Sequence, residues 1–208
     1  MTAMRVGLTG GVASGKSTVS AMLEELGAVI IDADKLAREV VARGTPGLAA
    51  VVEAFGPGLL TADGDLDRPA MGAVVFGDEA KRRVLEGIIH PLVFERIVAL
   101  EGAADAGALV VHDIPLLAES GRADTFDAVV VVDVPTETQV ERMLRDRGWT
   151  AEDAASRTAA QSSREDRRAI ATYVIHNTGS LEDLRRRVGE VYAALAADLP
   201  QGAQAPGA

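Results

Sequence analysis

A chain of 208 residues with 48% apolar content can bury a core of its own, and its length fits one domain with insertions. Its 31 acidic residues against 21 basic ones give a net charge of -10, which argues against nonspecific binding to nucleic acid or anionic membranes. With no cysteine, disulfides, thiolate metal sites and thiol nucleophiles are excluded, which suits a reducing cytoplasmic setting.

Met4 to Thr9 reads as a buried strand, Gly10 to Lys16 as a turn and Ser17 to Leu26 as a helix ended by Gly27. With a glycine-rich motif starting at Gly10, no secretion signal is expected. Ala28 to Asp32 is a second short strand, followed by helical spacing from Asp34 to Arg43 through Leu36, Val40 and Val41. Between Thr45 and Ala106 the pattern becomes helices broken by Pro46, Gly56-Pro57-Gly58 and Asp63-Gly64, with no convincing sheet strand.

Ala108 to His112, Ala128 to Val134 and Tyr173 to His176 are the remaining strands, and a second helical block fills Thr136 to Thr172. No apolar run approaches the roughly 20 residues a membrane helix needs. Ser180 with Asp183 three residues on marks a helix start, and that helix runs to about Asp198. The tail from Pro200 to Ala208 has no hydrophobic side chain larger than alanine and is expected to be disordered. Short apolar strands alternating with helices predict an α/β fold whose parallel sheet is covered by helices on both faces. The expected organisation is a single domain over residues 1–199. Its core is about 1–44, 107–135 and 173–199, with a helical insertion about 45–106 and a helical lid about 136–172.

Gly10-Gly11-Val12-Ala13-Ser14-Gly15-Lys16-Ser17 fits G-x-x-x-x-G-K-[ST] at every defined position, between a predicted strand and a predicted helix. Such a loop turns successive N–H groups toward phosphate oxygens, and the helix N-terminus adds its positive dipole end. Lys16 then reaches the β- and γ-phosphates, and the Ser17 hydroxyl is placed for Mg²⁺. Lys16 is expected to face solvent when no phosphate is present. The motif specifies nucleotide and Mg²⁺ without specifying the reaction. A small-molecule kinase, a guanine-nucleotide switch and an ATP-driven motor subunit all remain. The only asparagine, Asn177, is followed by Thr178-Gly179-Ser180, so the Asn-Lys-x-Asp loop of common guanine switches is missing. Little chain is left for motor coupling.

Asp32-Ala33-Asp34 follows the second strand, at the edge where ligands bind in open α/β sheets. A carboxylate there takes a proton from an attacking hydroxyl, while the competing readings are Asp34 as a helix N-cap and Asp32 as an ordinary strand end. A strand-like backbone through Ala33 would point both carboxylates to one side. Asp113, at the end of the third strand, has the Walker-B position for Mg²⁺; its alternative is capping a short helix begun by Pro115. His112 beside it reads as packing. Arginines cluster at Arg142, Arg145 and Arg147, at Arg164, Arg167 and Arg168, and at Arg185 to Arg187. Each cluster is either a solvated helix face or local charge for phosphates. Gln139, Arg142 and Arg145 share helical spacing, and an arginine there can close over transferring phosphate.

Taken together these segments resemble the dephospho-CoA kinase family. The resemblance rests on Gly7-Leu8-Thr9-Gly10-Gly11, Asp32-Ala33-Asp34 with Arg38, Gly64-Asp65-Leu66-Asp67-Arg68 with Phe76, and Leu85-Glu86 with Ile89-His90-Pro91. Asp113-Ile114-Pro115-Leu116-Leu117 with Glu119 is its most telling segment. Asp133 with Pro135, Gln139 and Arg142, Arg157 with Gln161, and Asn177-Thr178-Gly179-Ser180 complete it, so the match spans about Arg5 to Leu195. It implies a P-loop core, a helical CoA-binding insertion and a lid over ATP, in a cytoplasmic enzyme using ATP, Mg²⁺ and dephospho-CoA. By the same resemblance Asp34 is the base toward the ribose 3′-hydroxyl, and Lys16 and Arg142 hold phosphates. Gly11 through Thr18 and Asn177 form the nucleotide side. Arg38, His90, Pro91, Asp113 and Leu116 belong to the acceptor side, and Ser17 and Asp113 to the metal. Ala13 departs from the family's usual glycine and His112 from an apolar residue. The alternatives are a nucleoside or nucleotide kinase and a non-enzymatic nucleotide switch.

Overall fold

A computed structural model describes residues 3–199; the expected disorder of residues 200–208 and the side chain of Arg147 lie outside the described residues. The chain divides into two units, one made of Met1–Ile31 with Ala104–Ala208 and the other of Asp32–Ala103.

The first unit is built on the sheet. Strand β1 (Met4–Gly10) runs into helix α1 (Lys16–Glu25), and β2 (Val29–Asp32) follows. Helices α2 (Ala33–Glu39), α3 (Pro46–Phe55), α4 (Arg68–Val75) and α5 (Glu79–Ala103) make the other unit. The chain then returns with β3 (Leu109–Asp113), α6 (Leu117–Ser120), β4 (Ala128–Asp133), α7 (Thr136–Arg147), α8 (Ala151–Ala159), α9 (Arg164–Ala169), β5 (Tyr173–His176) and α10 (Leu181–Ala197). Strand order is β2-β3-β1-β4-β5, and β1 pairs in parallel with both β3 and β4, as β4 does with β5.

Apolar residues of β4 serve both faces because side chains alternate along a strand. Ala128, Val130 and Val132 pack with Val19, Leu23, Leu184 and Val188 of α1 and α10. Val129 and Val131 pack with Leu117 and Phe126 on the opposite face. The continuous valine run therefore reflects a strand covered on both sides. α10 begins at the expected capping box: the Ser180 hydroxyl accepts from the Asp183 N–H while the Asp183 carboxylate accepts from the Ser180 N–H at 3.1 Å.

In the helical unit, Val41, Val51, Leu59 and Met71 form a separate core, lined by Leu85, Ile88 and Ile89 of α5. Thr45 caps α3 by accepting from the Leu48 N–H, with Pro46 in the first turn; Asp67 caps α4 in the same manner through the Ala70 N–H. The unit starts at Asp32, so α2 belongs with these helices: Leu36 is buried, and Arg68 donates to the Arg38 carbonyl at 3.3 Å. Pro91 lies inside α5, where it removes one helical N–H donor. Among the described residues no helix is long and apolar enough to cross a membrane.

Candidate functional site

The loop between β1 and α1 exposes one side of its peptides and has the other side gripped. Asn177 donates to the Ser14 carbonyl at 2.8 Å, and Gln139 donates to the Val12 carbonyl at 2.8 Å. Arg142 donates from Nη1 to the Ala13 and Ser14 carbonyls at 3.3 and 3.4 Å, and from Nη2 to the Asn177 carbonyl at 2.7 Å. Peptides are trans, so N–H groups point away from held carbonyls. The N–H groups of Ala13 and Gly15 take no acceptor among the described residues. α1 starts without a side-chain cap or an acidic first turn, and Ser17 and Thr18 are exposed. Unspent donors at a helix N-terminus make an anion-binding concavity.

Two backbone positions are specific to this loop. Gly15 has φ 89°, and a side chain there would also collide with Asn177, so glycine is required. Ala13 takes φ 57°, the left-handed conformation, at a cost of roughly 1–2 kcal/mol for a residue with a Cβ. The departure from glycine noted in the sequence thus falls on a strained residue.

Lys16 is half-withdrawn rather than solvent-facing as expected: its ammonium is ion-paired with Asp113, and its side chain is 17% exposed. Asp113, buried at the end of β3, supplies a nearby acceptor that the sequence did not reveal. Asp113 does not cap the following helix either. Pro115 lies outside that helix, and α6 starts at Leu117 with the exposed Leu116 in the capping position. His112 packs its ring against Phe126 at 5.3 Å between centroids, in line with a packing role.

Behind the loop lies a network of residues from α7 to β5. Asp133, buried at the end of β4, accepts two bonds of 2.7 Å from Arg164 and one contact of 3.2 Å from His176 Nδ1. The Arg164 guanidinium holds the Asp133 carboxyl below its ordinary 3.8, and Asp133 in turn raises Arg164. Arg167 is buried beside Gly11 and donates to the Ser162 carbonyl; burial pushes its guanidinium down, opposed by Glu119 and Asp133. Ser162 N–H donates to Glu119 at 2.7 Å. Gln161 accepts from the Val12 N–H at 2.8 Å. Apart from Arg167 with Ser162, these pairings join residues 31 to 149 positions apart, beyond the reach of any local spacing.

The helical unit carries its own candidates. Asp32 is the N-cap of α2, accepting from the Lys35 N–H at 3.0 Å, so the capping role considered for Asp34 belongs to Asp32. Ala33 is already helical, and the strand-like alignment of the two carboxylates does not form. Asp34 is left exposed in the first turn, with Arg38 exposed one turn later. His90 and Pro91 are exposed on α5, which packs against α2.

A five-stranded sheet with helices on both faces and a phosphate loop after β1 defines a P-loop nucleotide-binding protein. Residues 4–183 match the family model of dephospho-CoA kinase. A dephospho-CoA kinase of Streptomyces avermitilis is 57% identical over 204 residues, covering 98% of each chain. A solved Thermus thermophilus protein is 34% identical with a TM-score of 0.73, over 94% of this chain and 99% of its own. The dephospho-CoA kinase of Campylobacter jejuni shares the fold at 24% identity and TM-score 0.67, over 92% of this chain and 96% of that one. The chain belongs to the dephospho-CoA kinase family.

Proposed function

We propose that this chain transfers the γ-phosphoryl group of ATP to the ribose 3′-hydroxyl of dephospho-CoA, giving CoA and ADP, the last step of CoA synthesis. The observation that carries this reading is the family match over residues 4–183, joined to a complete phosphate loop whose lysine is held by Asp113.

ATP phosphates enter the concavity of N–H groups between Ala13 and Ser17, where the dipole of α1 favours negative charge. Lys16 exchanges Asp113 for phosphate oxygens, leaving that carboxylate available. Arg142 reaches the phosphates by a similar exchange, giving up the Ala13 and Ser14 carbonyls. Asp34 accepts the proton of the 3′-hydroxyl as its oxygen bonds to the γ-phosphorus, and the bond from that phosphorus to the β,γ-bridging oxygen breaks to release ADP. Its exposure and lack of a capping duty support that role. Arg38, His90, Pro91 and Leu116 are proposed on the acceptor side.

The oxygen donors of Ser17 and Asp113 suit a hard cation, and the chain has no thiol to compete. Those two residues would hold Mg²⁺, which when bound neutralises charge on the β- and γ-oxygens. A cytoplasmic location goes with ATP as co-substrate. Nucleic acid and anionic membranes are not proposed as partners at a net charge of -10.

Release of ADP measured with dephospho-CoA, adenosine, AMP or no acceptor tests the reading. Turnover is expected with dephospho-CoA alone. Equal turnover with AMP or adenosine would move the chain to the nucleotide or nucleoside kinases, and no acceptor-dependent turnover would overturn the enzymatic reading.

A further inference from the structure

Both peptides flanking Val12 are held by glutamine side chains from the helical block between β4 and β5. Gln161, just beyond α8, takes the Val12 N–H, and Gln139 on α7 donates to the Val12 carbonyl, each at 2.8 Å. Gln139 is only 1% exposed, and its Oε1 is buried without a hydrogen-bond partner. A methionine of similar size would fill the site without an orphaned oxygen, so packing alone does not explain an amide there. Gly11 yields the necessary space, since a Cβ on it would strike Gln139 and stand 2.9 Å from Arg167.

We propose that Gln139 and Gln161 are positioning residues that clamp Val12 from both sides and thereby aim the Ala13 N–H into the phosphate concavity. A trans peptide puts the Ala13 N–H opposite the Val12 carbonyl. Fixing that carbonyl therefore fixes the donor. The hold matters all the more here because Ala13, at φ 57°, relaxes out of the left-handed region once the peptide is released, whereas glycine remains there at no steric cost. The roles of the two amides are opposite: Gln161 acts as acceptor and Gln139 as donor. The inference deepens the nucleotide-binding half of the proposed function and does not depend on the acceptor's identity.

The test is calorimetric titration of ATP with Mg²⁺ into the full chain, together with ATP and dephospho-CoA KM values and melting temperatures. Gln139→Met and Gln161→Met should each weaken ATP about tenfold, the worth of one well-placed hydrogen bond. The KM for dephospho-CoA and the melting temperature should stay near wild type. Adding Ala13→Gly to Gln139→Met should recover most of what that change loses. Wild-type ATP affinity in both methionine variants, or no recovery with Ala13→Gly, would overturn the clamp. Failure of wild-type turnover with dephospho-CoA, with these binding results intact, would instead overturn the proposed acceptor.

Discussion

Lys16 of the phosphate loop is ion-paired with Asp113, the buried carboxylate that ends β3. Removing the lysine therefore removes a phosphate ligand and also strands a buried negative charge. Lys16→Ala should lower kcat by at least about 10³, as expected when a phosphate-bound cation is lost. Its melting temperature should also fall. Adding Asp113→Asn should raise that melting temperature again, because two neutral side chains avoid an unpaired buried charge, while turnover stays lost. A double variant no more stable than Lys16→Ala would show that the pair carries no such coupling.

Asp32 and Asp34 now have separable tests. Asp32→Ala removes the cap of α2 and should cost about 1 kcal/mol in urea unfolding. Asp34→Asn should lower kcat by roughly 10² to 10⁴ with ATP affinity retained, since the amide cannot take the hydroxyl proton. A full-rate Asp34→Asn enzyme would remove that residue from the chemistry.

Asp133 and Arg164 give a pH signature. Because the folded pKa of Asp133 lies below its ordinary 3.8, the pair's stabilisation is fully present above that value and is lost as pH falls through the folded pKa. Asp133→Asn should cost about 2 kcal/mol at neutral pH, the scale of charge-assisted hydrogen bonds. The gap from wild type in urea unfolding should shrink as pH falls below about 4. A gap that widened below about pH 4 would contradict the assignment.

Arg142→Ala separates loop holding from phosphate contact. Loss of a transition-state cation should lower kcat by about 10³ or more. A preserved kcat with a raised ATP KM would leave Arg142 as a brace on Ala13, Ser14 and Asn177 alone.

The parts of this protein legible in its sequence are those written in contiguous residues. The loop from Gly10 to Ser17 carries its chemistry in eight neighbours, the valines of β4 declare a strand covered on both faces, and Ser180 with Asp183 announces α10. Side-chain partners that cross the fold are different. The clamps on Val12 come from residues 127 and 149 positions away, and nothing local to Gln139 or Gln161 names Val12 as their partner. Asp32 and Asp34 were ambiguous because one residue's shift in the start of α2 exchanges their roles. Lys16 looked solvent-facing for a similar reason, as its partner arrives from a strand 97 residues on.

The central position of β1 has a consequence for biosynthesis. Met4 pairs with Leu109 and Gly10 with Val132, so this first strand leaves the ribosome long before either neighbour exists. Residues 32–103 emerge in the interval, carrying a core of their own around Val51 and Met71. The helical unit can therefore fold while β1 waits, and closure of the sheet is a late, long-loop event of the slow kind. During that wait β1 is an apolar segment without its strand partners, a state exposed to aggregation.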